Sequence, residues 1–99
     1  MQGNFEELIN SNKPVLIDFS AEWCGPCKAL SPILKQLAND MGEKIRIIKI
    51  DIDKNPALQK KYKISGVPTL IVFLKGQQKW RQSGVIPLSQ LKQTLNAFL

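Results

Sequence analysis

The feature that most constrains this chain is the segment Trp23-Cys24-Gly25-Pro26-Cys27-Lys28, which contains its only two cysteines. It stands between an apolar run at Val15–Phe19, which predicts a buried strand, and a run at 28–41 that predicts a helix. The first turn of a helix favours an anion, because its backbone N–H groups are free and the helix dipole is positive there. We therefore expect a stabilised Cys24 thiolate, with a pKa below the value of about 8.5 for a free cysteine. Cys27 falls one turn later on the same side of the helix, within reach for a disulfide.

Redox chemistry is the interpretation of this cysteine pair that we favour over three others. A structural cross-link between Cys24 and Cys27 would close so short a loop that it contributes only about 2 kcal/mol. A metal site would need further ligands, and the chain has no histidine, so a second copy would have to complete it. Two inert cysteines are the remaining alternative. In the redox interpretation Cys24, beside the exposed loop, attacks a substrate disulfide, and the more buried Cys27 resolves the mixed disulfide.

The size and charge of the chain exclude several classes of function. Its 99 residues form one domain, 1–99, and no apolar run approaches the 18 residues of a transmembrane helix. The first residues lack the basic and apolar regions of a signal peptide, so we expect a cytoplasmic protein, although a processed secreted chain would look the same. The net charge of +6 is scattered along the sequence. The densest group, Lys60, Lys61 and Lys63, is typical of a solvated helix face, so we expect no nucleic-acid partner, no membrane partner and a monomer.

The order of elements predicts an α/β fold with a four-stranded mixed sheet flanked by helices on both faces. The first half predicts a βαβ unit with parallel strands, and the second half ends in a hairpin that adds an antiparallel edge. The predicted order is α-β-α-β-α-β-β-α, with Asn4 as the N-cap of the first helix. The predicted strands are 15–20, 44–51, 69–74 and 78–82, the predicted helices after the first are 24–41, 56–62 and one beginning at Pro87, and Lys75-Gly76-Gln77 is the hairpin turn.

Asp18 is the second residue that invites a chemical interpretation. A carboxylate inside an otherwise apolar strand is costly to leave ionised, so burial should raise its pKa. The alternative is a solvated aspartate at a partly exposed strand end. Trp80, on the edge strand, is expected to pack on the sheet.

Trp-Cys-Gly-Pro-Cys-Lys resembles the active site of the thioredoxin family, and the resemblance covers essentially the whole chain. Further matches support it, namely Asp18, Lys49-Ile50-Asp51, Val67-Pro68-Thr69, Gly76 and Gly84. The resemblance implies the thioredoxin fold and a protein-disulfide reductase that needs no bound cofactor. It also implies disulfide-containing protein substrates, thioredoxin reductase as the electron donor and a role in electron transport for cell redox homeostasis. Ser20 departs from the pattern, because many relatives have tryptophan there, and this leaves the packing of the active-site loop open.

The resemblance also assigns roles to individual residues. Asp18 takes the proton from Cys27, through water, and Lys49 in the neighbouring strand tunes that aspartate. Lys49 as an ordinary exposed lysine is the alternative. The Val67–Pro68 bond is expected to be cis, with Pro68 packed on the cysteine pair and the Val67 backbone paired with the substrate chain. The expected apolar docking surface comprises Trp23, Gly25, Pro26, Gly66, Val67, Pro68, Gly84 and Val85, although Trp23 could instead belong to the core.

Two other functions share these sequence features. A periplasmic thiol-disulfide carrier would have the same cysteine pair but a different compartment and reduction potential. A non-catalytic binding subunit would use the same apolar surface without turnover. An intact cysteine pair beside a buried aspartate argues against the binding subunit, which needs neither.

Overall fold

The computed structural model describes residues 2–99, with side chains from residue 4 onward. Eight helices and strands follow in the order predicted from the sequence, and a short 3-10 turn at Gly42–Lys44 separates the second helix from the second strand. The elements are α1 (Gln2–Ile9), β1 (Val15–Ser20), α2 (Gly25–Met41), β2 (Arg46–Asp51), α3 (Pro56–Lys61), β3 (Thr69–Leu74), β4 (Gln77–Ser83) and α4 (Leu88–Asn96).

The four strands form one mixed sheet in the order β2-β1-β3-β4. β1 pairs with β2 in parallel, as expected for the predicted βαβ unit, and β3 pairs antiparallel with both β1 and β4. The central strands β1 and β3 are buried along almost their whole length, because helices cover both sides of them. The predicted four-stranded mixed sheet is therefore confirmed.

Alternate side chains of the central strands supply two separate cores. Ile17 of β1 and Ile71 of β3 pack with α1 and α3 on one face, whereas Leu16 and Leu70 pack with α2 and α4 on the other. This alternation follows from the two-residue repeat of a strand. It directs Asp18 to the same face as Leu16, beneath α2.

The strand register brings the functional segments to one end of the sheet. Ser20, the last residue of β1, is opposite Asp51, the last residue of β2, and Thr69 begins β3 opposite Ser83 at the end of β4. The loops that follow β1 and precede β3 therefore meet at this end, which is where the Cys-x-x-Cys segment lies.

The predicted boundaries of three elements are wrong. Asn4 is not an N-cap, because α1 already begins at Gln2; the packing of Phe5 and Ile9 determines which face of the helix is buried, not where its first turn starts. β2 begins at Arg46, since the 3-10 turn takes up the residues before Ile45. β4 is longer than predicted at both ends, because its pairing with β3 extends from Gln77 to Ser83.

Candidate active site

Cys24 is the N-cap residue of α2, where the first turn of the helix leaves backbone donors free. Its backbone is extended, with φ −89° and ψ 112°, and its Sγ accepts a hydrogen bond of 3.1 Å from the N–H of Cys27. Pro26, in the first helical turn, has no N–H that would need a partner. The Cys24 sulfur therefore lies at the positive end of the helix dipole, as the sequence predicted, and a negative charge on it is stabilised there.

Cys24 and Cys27 form a disulfide whose Cα atoms are 5.3 Å apart, within the usual range for such a bond. The two residues are almost equally buried, with 3% and 4% of their surfaces exposed. The prediction that Cys27 is the more buried is therefore wrong for this disulfide form, because both side chains belong to one core cluster. The cysteines differ instead in position, since Cys24 precedes the helix and Cys27 lies within its first turn.

The loop before β3 approaches the cysteine pair through its backbone. The Val67–Pro68 peptide bond is cis, as predicted, and the carbonyl oxygen of Val67 lies 3.5 Å from Cys24 Sγ. Pro68 is buried, and its carbonyl oxygen accepts a hydrogen bond of 2.9 Å from the N–H of Gly84. Gly84 has a φ of 99°, a conformation that suits glycine. The loop before β3 and the loop after β4 are therefore joined next to the sulfur atoms.

A pair of hydroxyl groups makes a second connection between these loops. Thr69 Oγ1 donates a hydrogen bond of 2.7 Å to the carbonyl oxygen of Gly66 and lies 2.8 Å from Ser83 Oγ. Thr69 is only 1% exposed, so its hydroxyl has no access to bulk water as a substitute partner. No sequence pattern assigns a role to Ser83, because its contact with Thr69 depends on the register between β3 and β4.

An exposed rim surrounds the disulfide and matches most of the predicted docking surface. Trp23 is 68% exposed and Val85 is 45% exposed, so Trp23 does not belong to the core. Other predicted members are exposed (Gly25, Pro26, Gly66) or half-buried (Val67, Gly84), and only Pro68 is buried. Trp80, by contrast, is half-buried against the core beneath α2 and α4 and takes no part in this rim.

The indole of Trp23 is held by a contact that the sequence did not reveal. Its Nε1–H donates a hydrogen bond of 2.8 Å to Asp53 Oδ2, from the loop after β2. In the same two loops, Lys54 forms an exposed ion pair with Glu22 at 3.7 Å. Asp51 accepts hydrogen bonds from the N–H groups of Asp53 and Lys54, and this arrangement fixes the loop that carries the indole's partner.

Asp18 is buried, as predicted, with 2% of its surface exposed. Its Oδ1 atom has no hydrogen-bond partner within the described chain. Burial raises the pKa of this carboxyl from 3.8 to about 6, and the positive charge of Lys49, its neighbour in the β1–β2 register, opposes the rise. Both residues line a cavity of about 250 Å³ together with side chains of α2, including Ser31 and Leu34.

Ser20 is a small buried residue at the end of β1. It is 1% exposed and lines a second cavity of about 280 Å³ together with Ala21, Glu22, Lys49 and Asp51. Lys49 therefore borders both cavities, one beside Asp18 and one beside Ser20.

The part of the chain that the structure describes offers neither a metal site nor a membrane-spanning helix. No three histidine, cysteine, aspartate or glutamate side chains between residues 2 and 99 group in a way that could hold a metal ion. None of the described helices has the length and apolar character needed to cross a membrane.

Comparisons with known proteins agree with this geometry. The family model named Thioredoxin matches residues 1–97. A thioredoxin-like protein of Synechocystis is 45% identical over 97 residues, covering 97% of this chain and 92% of the relative. Thioredoxin 1 of Chlorobaculum tepidum is 39% identical over 94 residues, covering 94% and 93%.

Solved structures are similar along the same length. A mutant thioredoxin from Halobacterium salinarum has a TM-score of 0.89 at 36% identity, covering 99% of this chain and 85% of that one. Oxidised mitochondrial thioredoxin 3 from Saccharomyces cerevisiae has a TM-score of 0.87 at 30% identity, covering 97% and 89%. The chain thus belongs to the thioredoxin family, and it is a thiol-disulfide oxidoreductase with Cys24 and Cys27 as its redox pair.

Proposed function

We propose that the protein-disulfide reductase cycle of this chain begins with attack by Cys24. In the dithiol form the Cys24 thiolate attacks one sulfur of a substrate disulfide, whose S–S bond breaks, and the second substrate sulfur leaves and takes up a proton. Cys27 then gives up its proton and attacks Cys24 Sγ, which releases the first substrate sulfur as a thiol. The pair has then passed two electrons and two protons to the substrate and is itself a disulfide.

The observation that supports Cys24 as the nucleophile is its N-cap position. The Cys27 N–H that donates to Cys24 Sγ, and the positive end of the α2 dipole, stabilise a thiolate at this atom. Among the described residues no hydrogen bond is donated to Cys27 Sγ, and this sulfur lies within bonding reach of Cys24, which suits a resolving thiol.

Asp18 is the base in this proposal, and it accepts the proton of Cys27 when the mixed disulfide is resolved. A pKa of about 6 leaves the carboxyl mostly ionised at pH 7 and more basic than an exposed aspartate. The cavity of about 250 Å³ beside it has room for a water molecule that could carry the proton. Lys49 is a positioning residue, because its charge limits how far the pKa of Asp18 rises.

The substrate would lie on the exposed rim, with its backbone paired to that of Val67 and its side chains against Trp23 and Val85. These two are the largest exposed apolar side chains beside the cysteine pair, which supports docking of a protein chain there. We propose that electrons return from thioredoxin reductase and that the protein works as a monomer in a reducing compartment, the cytoplasm. A reduction potential well below the poise of an oxidising compartment is expected, and a markedly more oxidising value would favour the periplasmic carrier instead.

Two cysteine variants test the order of attack. Cys27→Ser should accumulate a mixed disulfide with insulin, because nothing resolves it, whereas Cys24→Ser should form none. The adducts are measured by non-reducing electrophoresis and mass spectrometry. Trapping by Cys24→Ser instead would reverse the assignment.

A third variant tests the base. Asp18→Asn should slow the release of reduced insulin chains while leaving the initial attack close to wild type, as measured by single-turnover kinetics. Equal slowing of both phases would contradict the role of Asp18.

A further inference from the structure

The end of α3 carries positive charge that is not neutralised, next to the substrate loop. Lys60 and Lys63 line a shallow pocket of about 310 Å³ that also includes Ser65, the residue before Gly66 of the rim. Within residues 2–99 neither ammonium group forms a salt bridge, whereas the neighbouring Lys61 is paired with a glutamate of α1. The pocket therefore offers two free cations at the edge of the docking surface.

Lys63 holds an unusual backbone conformation at this place. The N–H of Ile64 donates to the carbonyl of Gln59 at 2.9 Å, and the N–H of Lys63 donates to that of Lys60 at 3.2 Å. These two bonds form a Schellman motif, in which the residue at the Lys63 position adopts a left-handed conformation and is usually glycine. Lys63 has a φ of 52°, so this position carries a charged side chain in spite of an unfavourable conformation.

Arg81 fixes this conformation from the edge strand. Its Nη1 and Nη2 atoms donate hydrogen bonds of 2.5 and 2.9 Å to the carbonyl oxygens of Tyr62 and Lys63. The guanidinium therefore holds the residues that follow α3 in place and adds a third positive charge beside Lys60 and Lys63.

Carboxylates, rather than unpaired ammonium groups, lie beside Trp23 of the rim. Glu22 and Asp53 flank Trp23, and Lys54, which pairs with Glu22, is the cation next to them. A substrate segment across the disulfide would thus meet carboxylates at Trp23 and ammonium groups beyond Gly66. This polarity gives the site a charge preference that a purely apolar rim would lack.

We propose that Lys60 and Lys63 select, among protein disulfides, those with aspartate or glutamate close to the reacting cysteine. The occupant of the pocket is then an acidic side chain of the substrate segment that lies along Gly66 and Val67. The inference rests on the proposed reductase cycle, because the segment is the one that Cys24 attacks. It names the charge of the substrate, which the cysteine chemistry does not determine.

The test uses the reduced full chain and two disulfide peptides. The acidic peptide has two glutamates beside its cysteines, and the neutral peptide, otherwise identical, has two glutamines there. The rate constant for peptide reduction is measured in acid-quenched, single-turnover samples at low salt. Wild type should reduce the acidic peptide about fivefold faster, as expected for two exposed ion pairs, and the ratio should fall towards one as salt shortens the screening length. A ratio of one at low salt overturns the proposal.

The variants separate the pocket from the net charge of the protein. Lys60→Gln/Lys63→Gln should lose the preference for the acidic peptide. Lys44→Gln/Lys75→Gln removes the same charge from the far end of the sheet and should keep the preference for the acidic peptide. Lys75 is a matched control because its φ of 53° is close to that of Lys63. Equal loss in both double variants would overturn the proposal, since it would mean that only net charge matters.

Lys63→Gly is a control for misfolding, because glycine suits this backbone conformation and the substitution removes the charge. This variant should also lower the ratio of the rate for the acidic peptide to the rate for the neutral peptide. An unchanged ratio would contradict the role of Lys63. Failure of the wild type to reduce either peptide or insulin would contradict the reductase cycle itself. Reduction of both peptides at equal rates would contradict only the charge preference.

Discussion

Replacing Asp18 by asparagine should stabilise the fold at neutral pH and change it far less in acid. The carboxyl is 2% exposed, and burial raises its pKa from 3.8 to about 6 in spite of the opposing charge of Lys49. Between these two pH values the folded chain binds more protons at this site than the unfolded chain does. The stability of the wild type therefore falls as the pH rises through this window.

The size of the effect follows from the gap between the two pKa values. The difference from 3.8 to about 6 is roughly 2 pH units, which corresponds to about 3 kcal/mol of stability that is present in acid and lost above the folded pKa. The amide of the Asp18→Asn variant cannot ionise, so the stability of that variant relative to wild type should increase by about 2–3 kcal/mol between about pH 4 and pH 8. Any constant contribution from the new amide group cancels in this comparison.

Urea unfolding of the oxidised proteins across this pH range measures the difference. Asp40→Asn is a control of opposite sign, because hydrogen bonds from Lys92 and Gln36 lower the pKa of Asp40. That variant should lose stability relative to wild type above the normal aspartate pKa and recover it in acid. Parallel pH profiles for Asp18→Asn and wild type would refute the assignment of a raised pKa to Asp18.

Three further changes have defined outcomes. Lys49→Gln should raise the pKa of Asp18 above about 6, because the substitution removes the positive charge that lowers this pKa. Carbon NMR titration of the carboxyl measures the pKa, and a value lower than in wild type would contradict the prediction. Asp53→Ala should raise KM for insulin a few-fold with kcat retained, since Trp23 loses the acceptor for its indole N–H. The free energy of unfolding should change by no more than about 1 kcal/mol. Steady-state kinetics and urea unfolding measure these two effects, and a fall in kcat alone would argue against a docking role. Lys63→Gly should stabilise the fold by about 1 kcal/mol and raise Tm by roughly 4–8 °C in calorimetry, whereas a loss of stability would mean that the lysine side chain contributes packing.

The fold could be predicted largely because local pattern and burial agree along this chain. Val15–Phe19 is an apolar run of strand length, and it is buried on both faces. Asp18 stood out for the same reason, as a carboxyl within that run, and its burial is confirmed. The cis bond at Pro68 required the family resemblance, because an X-Pro bond at a turn is by itself only a candidate for the cis form.

Two contacts between distant segments had no signal in the sequence. The hydrogen bond from Trp23 to Asp53 spans thirty residues of chain, and that from Arg81 to Lys63 joins a strand to the end of a helix. No sequence periodicity predicts either hydrogen bond, since each depends on how the loops pack once the sheet has formed. The similar burial of the two cysteines likewise depends on how the first turn of α2 packs against the core, which local pattern does not determine.

The separation of the two ends of the sheet has a practical consequence. The hairpin tip at Lys75 and Gly76 is anchored by their N–H groups to the carbonyls of Ser11 and Ile9, and β3 separates it from the disulfide end by roughly 17–20 Å. A tether or fluorophore attached at this tip would therefore leave the cysteine pair and its docking rim facing the solution. Immobilised through the hairpin, the chain could serve as a surface-bound reductant whose captured substrates are eluted and identified.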